Sequence, residues 1–348
     1  MSQPLGTLDE LPADYREAMA AESIAPLWPQ MRNLLPHHKP QPVTRSCLWS
    51  LARIRPLLLR AGELTPIEKA ERRVLVLSDP GRGAGAMQAT ASIYCGLQLL
   101  KPGEIAPNHF HTPSAARIIV EGEGAYTIVE GEKCPMHRGD LILTPGGLWH
   151  DHGHDGTEPV IWLDALDVPL VVNLEANYAV EGEPQPKSNR PDASQWAYAA
   201  AGLVPVDKDP AHPRFPLLRF PWDRTRAALD AYAAQSDGAA AAELAYVNPE
   251  TGEPCLPTMG FTAIRLAPGK TARPPVRSSG AVFHVVEGEG TSEVDGALHR
   301  WVAGDTFSAP GFTAVRHEAT GGAPAYLIRI DDAPLQHKLG FYEERPAP

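Results

Sequence analysis

Residues 92–124 read SIYCGLQLLKPGEIAPNHFHTPSAARIIVEGEG, and residues 261–290 read FTAIRLAPGKTARPPVRSSGAVFHVVEGEG. Both stretches close on VEGEG, at 120–124 and at 286–290, 166 positions apart. The match continues downstream, where HRGDLILTPGGLWH (137–150) is answered by VAGDTFSAPGFTAV (302–315). Each copy is a run of short β-rich pieces cut by Gly and Pro turns, the pattern of a small antiparallel barrel or jelly roll. A repeat this long means two copies of one barrel unit, so the chain is expected to be mainly β with two jelly-roll β-barrels.

The flanks complete the layout. Residues 1–90 are expected to form a helical N-terminal arm with the first strands. Asp9 or the Pro12-Ala13 pair starts a helix, and 18–35 carries apolar residues at roughly helical spacing until Pro36. A second helical stretch fills 48–77 and ends in an apolar run. Residues 91–180 hold the first barrel. Residues 181–245 form a Pro-, Asn-, Asp- and Ser-rich linker over 181–215 and a helix over 222–245, before the second barrel at 246–348. The 36 prolines and 30 glycines suit such a turn-rich β chain. Its 348 residues agree with about two domains.

The formal net charge of −11 argues against nucleic acid and anionic membranes as partners, while leaving room for a local basic pocket. The runs around 117–129 and 159–172 are broken by charge and do not read as membrane spans. The N-terminus MSQPLGTLDELPADYREAM lacks the basic and apolar blocks of a signal peptide, so a soluble, cytoplasmic protein is expected. Cys47, Cys95, Cys134 and Cys255 form no CxxC pair, which fits a reducing compartment and offers no zinc site.

The chemistry is concentrated in histidines. His109 and His111 are two apart, and on a strand residues i and i+2 face the same way. His150, His152 and His154 alternate in the same manner. One such residue alone is ordinarily a surface or satisfied core histidine. Five on two inward-facing strand segments point to a metal, because unpartnered imidazoles are costly to bury together. Imidazole donors suit Fe, Zn, Cu or Ni.

These residues resemble the cupin superfamily, whose first motif is G-x5-H-x-H-x3-4-E-x6-G. Gly103, His109, His111 and Gly122 stand in that register, with Ala115 in the place of the glutamate. The second motif, G-x5-P-x-G-x2-H, is met by Gly139, Pro145, Gly147 and His150. The resemblance therefore implies a bicupin with N-terminal and inter-barrel helices, and His150 as third ligand beside His109 and His111. Spacing alone leaves His150, His152 and His154 equal. In the second copy Pro275, Arg277 and Val315 stand where the ligands would be, and only His317 remains, aligned with His152. One metal per chain follows, with a structural or interfacial second barrel.

A narrower resemblance, to the gentisate 1,2-dioxygenase family with its salicylate and 1-hydroxy-2-naphthoate relatives, covers nearly the whole chain. It is carried by IRPLLLRAGEL (54–64), ERRVLVLSDPG (71–81), YCGLQL (94–99), HFHTPSAARIIVEGEGAYT (109–127), MHRGDLILTP (136–145) and WHDHG (149–153). It implies a cytoplasmic, usually tetrameric Fe(II) enzyme that uses O2 to open a 2-hydroxybenzoate between its carboxyl-bearing and hydroxyl-bearing carbons. It also implies Arg117 as the partner of the substrate carboxylate, and Arg117 shares the parity of His109 and His111 on a continuous strand. Arg73 is a second candidate, against an exposed helix-end charge. His152 is expected as acid or base, with Asp164 orienting an imidazole or lying at a turn. Gln98 is expected in the pocket wall and Tyr94 against the substrate ring.

Where gentisate enzymes tend to read HRHTQSALRF, YAGLQ and PSWTWHDHG, this chain has Pro113, Ala116, Cys95, Gly146 and Gly147. Smaller residues there imply more room, so salicylate, 5-substituted salicylates and 1-hydroxy-2-naphthoate stand beside gentisate as substrates. A non-catalytic metal-binding cupin, or an isomerase or decarboxylase on the same fold, is the reading from another class.

Overall fold

The structure is a computed structural model that describes residues 5–83, 85–184, 191–207 and 214–348. Parts of the linker expected over 181–215, with His212, lie outside the described residues. Two compact units appear, Met1–Pro42 and Val43–Pro348. In the first, a helix spans Ala13–Ala21 and a single turn spans Met31–Leu34. The long helix expected over 18–35 does not form, because Pro26 and Pro29 each lack the N–H that an α-helix needs.

The second unit contains both barrels. Its strands are β1 (Leu48–Trp49), β2 (Val74–Val76), β3 (Tyr94–Leu100), β4 (Ile105–His111), β5 (Ala115–Glu121), β6 (Ala125–Val129), β7 (Glu132–Pro135), β8 (Leu141–Thr144), β9 (His150–His154), β10 (Val160–Leu166), β11 (Ala179–Glu181) and β12 (Arg219–Phe220). Next come β13 (Ala241–Ala245), β14 (Gly260–Leu266), β15 (Thr271–Ala272), β16 (Val276–Arg277), β17 (Ala281–Glu287), β18 (Glu289–Val294), β19 (Ala297–Val302), β20 (Thr306–Ala309), β21 (Val315–Ala319), β22 (Ala325–Asp331) and β23 (Glu344–Arg345). The first barrel pairs a sheet ordered β12-β8-β5-β10-β3-β2 with one ordered β11-β4-β9-β6-β7. The second barrel's larger sheet runs β1-β20-β17-β22-β14-β13.

The larger sheets pack on each other. Cys95, Leu97 and Leu99 of β3 and Ile161, Leu163 and Ala165 of β10 share one apolar cluster with Phe261 and Ala263 of β14 and Ile328 and Ile330 of β22. The alternate residues turn into the first barrel, where Leu100, Ile119, Met136 and Trp162 form an apolar floor. Burial on both faces is why β5 and β10 read as almost unbroken apolar runs.

The repeat reaches beyond the barrels. A two-residue strand and a helix precede each one, β1 with Leu51–Leu64 and β12 with Trp222–Ala234. These leading strands are exchanged. β1 pairs with β20 of the second barrel, and β12 with β8 of the first. The helix following each strand is capped in the same crossed sense. Leu51 N–H donates to Asp305 Oδ1 at 2.9 Å, and Trp222 N–H to Asp140 Oδ1 at 2.8 Å. Gly304 and Gly139, one residue before these caps, have φ of 92° and 85°. A Cβ there would come within 2.4 Å of Leu51 and 2.5 Å of Trp222. Only glycine meets both demands.

The helix expected over 222–245 ends at Ala234, and Ala241–Ala245 is a strand paired with β14. The stretch expected as helix over 48–77 likewise ends in β2, which pairs with β3. Among the described residues no helix is long and apolar enough to cross a membrane.

Candidate metal centre and active site

The site lies on β4 and β9, at the open end of the first barrel. His109 and His111 share one face of β4, and Phe110 between them turns outward onto Trp149 and Tyr178, with ring centroids 4.8 and 5.9 Å away. His150 sits directly across from His109 in the ladder, beyond an irregularity between Ala106 and His109. Such a bulge re-aims side chains beside a site. The rings gather closely, with His109–His150 centroids 4.3 Å apart and His111–His150 4.8 Å apart. One ring nitrogen from each of the three lies within 4.8 Å of those of the others.

Backbone carbonyls fix the ring orientations. His111 Nδ1 is 2.7 Å from Pro113 O, and His150 Nδ1 is 2.9 Å from Leu148 O. A carbonyl can only accept, so each Nδ1 carries its hydrogen and each Nε2 lone pair stays free for a metal. Burial, ahead of neighbouring charges, pushes the His109 pKa down to about 3 and holds His111 and His150 below the usual range. Neutral imidazoles are the ligand form. The donor set thus fits a divalent transition metal, with no carboxylate in it, because Ala115 lines the cavity where the motif has glutamate.

His152 and His154 part company with these ligands. His154 Nε2 is 2.6 Å from Glu158 O and its Nδ1 accepts from Gly156 N–H, so both nitrogens are used structurally. His152 faces the cavity. Its Nδ1 lies 2.7 Å from Arg117 Nη1 and 3.1 Å from Thr127 Oγ1. Arg117 also donates to Thr127, whose own hydrogen is then free to point at His152. Arg117 Nη1 also lies 3.0 Å from His152 Nε2, so the guanidinium faces both ring nitrogens. Burial, then Arg117 and Arg72, hold the His152 pKa far below the usual histidine range, so the ring is neutral.

Arg117 is buried. Its Nη2 reaches Thr144 Oγ1 at 3.1 Å, and its Nε is 3.5 Å from Asp164 Oδ1, an ion-pair distance without a hydrogen bond. Asp164 Oδ2 accepts the Trp162 indole N–H at 2.9 Å. Burial raises the Asp164 pKa and lowers that of Arg117, each opposed by the other's charge. The cavity, about 250 Å³, is also lined by Tyr94, Gln98, Val74 and Leu166. The Gln98 amide nitrogen is buried without a partner. Burial pushes the Tyr94 phenol up, so it stays protonated. Tyr94 lies where a side chain on Gly96 would be, since a Cβ there would meet Val74 at 2.4 Å and the Tyr94 oxygen at 2.8 Å.

Arg73 is not in this cavity. β2 alternates, so Arg72 and Val74 face inward while Arg73 turns to Gly62 O at 3.3 Å and pairs with Glu104. Arg72 takes the place expected for it, with Nη2 2.8 Å from Pro107 O and 2.5 Å from His109 Nδ1. Burial, then the charge of Arg117, lowers the Arg72 pKa to about 10. Sequence reading missed Arg72, Thr127 and Thr144; only the adjacent arginine pair before an apolar strand hinted at the first. None of Pro113, Ala116, Cys95, Gly146 and Gly147 lines the cavity itself, and Cys95 and Ala116 face the core between the barrels.

A second grouping, Glu132, Cys134 and Asp192, is engaged otherwise. Glu132 accepts from Ser194 N–H and Oγ, and Asp192 pairs with Arg219.

Known proteins share this architecture. A family described as "Cupin domain" matches residues 96–166. A gentisate 1,2-dioxygenase of Ralstonia sp is 51% identical over 99% of this chain and 97% of its own. A 5-aminosalicylate 1,2-dioxygenase of Comamonas sp is 36% identical over 94% of this chain and 88% of its own. Among solved structures, salicylate 1,2-dioxygenase from Pseudoaminobacter salicylatoxidans, as an adduct with gentisate, superposes with a TM-score of 0.88 at 30% identity, covering 99% of this chain and 95% of that one. This chain is a member of the gentisate and salicylate 1,2-dioxygenase family of bicupin ring-cleaving dioxygenases.

Proposed function

We propose that the protein opens the ring of a 2-hydroxyarenecarboxylate, gentisate first among them, between its carboxyl-bearing and hydroxyl-bearing carbons, with O2 as co-substrate. The carrying observation is the convergence of His109, His111 and His150 beside Arg72, Arg117 and His152 in one cavity. Two guanidinium groups face a single carboxylate, Asp164, so the cavity has an excess of positive charge before any metal enters. A substrate bearing a carboxylate and an ortho oxygen complements that excess. Fe(II), one per chain on the three histidines, would bring the acid and O2 together and let electron density pass between them.

The chain's own groups have separate tasks. Arg72 binds the carboxylate, while Arg117, held by Thr127, Thr144 and Asp164, positions the His152 ring beside the acid. Gln98 offers its unpaired amide N–H, and Tyr94 packs on the ring. Val74 and Leu166 shield the ring from water. Salicylate, 5-substituted salicylates and 1-hydroxy-2-naphthoate are the second substrates of the same reaction, in keeping with the 5-aminosalicylate-named relative. A homotetramer in the cytoplasm belongs to the same proposal and rests on the family resemblance.

The test is anaerobic loading with Fe(II), then oxygen-electrode and ultraviolet assays on those acids. Acid-dependent O2 uptake with a new dicarboxylate absorbance is expected, and the ranking sets the substrate. His111→Ala should lose both iron and turnover. Fully iron-loaded wild type that consumes no O2 with any acid would point instead to a non-catalytic metal-binding cupin.

A further inference from the structure

The second barrel has lost its metal ligands but has kept a cavity at the corresponding level. Its outer lobe measures about 250 Å³, and the inner lobe, which Arg277 lines, about 30 Å³. Glu243, Ile264, Pro274 and His317 line both this lobe and an inner one, where Arg277 and Phe283 join them. Arg277 stands in the place of His111, and His317 in that of His152. The change exchanges donors suited to a cation for a cation.

His317 is buried, at 2% exposure. Its cross-strand neighbour Ser292 matches Thr127. Ser292 Oγ accepts the Trp301 indole N–H at 2.8 Å and lies 2.7 Å from His317 Nδ1. In the tautomer in which the Ser292 hydroxyl donates to Nδ1, the ring hydrogen is on Nε2. That nitrogen has no partner among the described residues. An unsatisfied buried donor calls for an acceptor.

Of the two guanidinium groups in the inner lobe, Arg329 is matched by Glu243 and Asp331, which leaves Arg277 to meet an anion. The charges acting on His317 are those of Arg329 and Arg277, both of which disfavour its protonation. Glu243, the carboxylate in the wall, is paired with Arg329 at 3.0 Å. Arg277 is steadied by Glu344 through Nε at 2.9 Å, and among the described residues its terminal amino groups have no side-chain or backbone acceptor. Ile264, Phe283 and Val315 supply an apolar wall on the other side.

We propose that the C-terminal barrel holds a second, metal-free site that takes a small organic carboxylate with an apolar body, its oxygens on Arg277 and His317 Nε2–H. The occupant is either an aromatic acid or an open-chain acid such as ring opening yields, and the carboxylate is common to both. The site goes beyond the ring-opening reaction, and its test reads binding without turnover.

The experiment is ¹⁹F NMR of 5-fluorosalicylate with the whole metal-loaded protein under anaerobic conditions. Two bound resonances are expected. Arg277→Gln and, separately, His317→Phe should each weaken one of them at least ~10-fold, as for the loss of one charge-assisted or buried hydrogen bond. Arg72→Gln should weaken only the other. Persistence of the first-barrel resonance reports that a variant is folded, and His317→Phe decides if Arg277→Gln is not. Competition by unlabelled salicylate against maleate shows which source the site prefers, by which displaces its resonance at lower concentration. A single bound resonance, or two that both survive Arg277→Gln and His317→Phe, overturns the proposal.

Discussion

Arg72 and Arg73 are neighbours in sequence with opposite surroundings. Arg72 faces the histidines, while Arg73 is buried against Glu104 on the other side of β2. Changing Arg72 to Gln should raise KM about 10–100-fold, in keeping with one charge-assisted contact of about 1.5–3 kcal/mol, and leave metal content unchanged. Changing Arg73 to Gln should leave KM where it was and lower stability instead, because Glu104 loses a buried partner. Steady-state kinetics, metal analysis and a melting curve on both variants check this; equal KM effects would refute the assignment. Arg117 is a poorer test of binding. It is buried and faces Asp164, so its removal strands a carboxylate and mixes folding with function.

At the scale of elements, the crossed clasp joins the two repeats through small, local contacts. Asp305 caps the helix Leu51–Leu64, and Asp140 caps the helix Trp222–Ala234 while also bonding Arg219 Nε at 2.8 Å. Asp305→Ala should cost about 1–2 kcal/mol, the usual loss for a helix cap. Asp140→Ala should cost more, toward about 3 kcal/mol, since a buried guanidinium loses one of its two carboxylates. Urea unfolding measures both, and equal losses would show that the Arg219 pair adds nothing. The barrels and the gathering of His109, His111 and His150 were legible because motif spacing and strand parity are local properties. The clasp was not, since β1 pairs with a strand more than 250 residues away and no local pattern records that. Residues 241–245 are alanine-rich and read as helix, yet pairing with β14 overrides their propensity. Arg72 was missed for a related reason: the inward face of an edge strand is settled only by what lies across it.

The two barrels should respond to acid as one body. The largest apolar cluster draws side chains from both barrels, and the clasp crosses between them, so neither barrel has a complete core alone. His284 and His317 are buried in the second barrel, where burial holds their pKa near 3. In the unfolded chain a histidine titrates near ~6.5. Below that pH the unfolded chain binds protons that the folded chain refuses, so stability present above ~6.5 is lost as pH falls toward 3, by about 1.4 kcal/mol per pH unit for each such histidine. Asp332 works in the opposite direction. Burial raises its pKa to about 6, so the folded chain holds that proton longer and recovers stability as pH falls from about 6 toward 4. Asp140, Asp164 and Asp167 are raised as well. His109, His111, His150, His152 and His299 are lowered with His284 and His317, so the histidines outnumber the carboxyls and the net is a loss. Calorimetry should therefore show a single transition whose midpoint drops between pH 7 and pH 5. His284→Gln removes one of the titrating groups, so its stability deficit relative to wild type should shrink by about 1.4 kcal/mol for each pH unit below ~6.5. A deficit constant with pH would refute the role of His284, and two separate transitions would refute the coupling of the barrels.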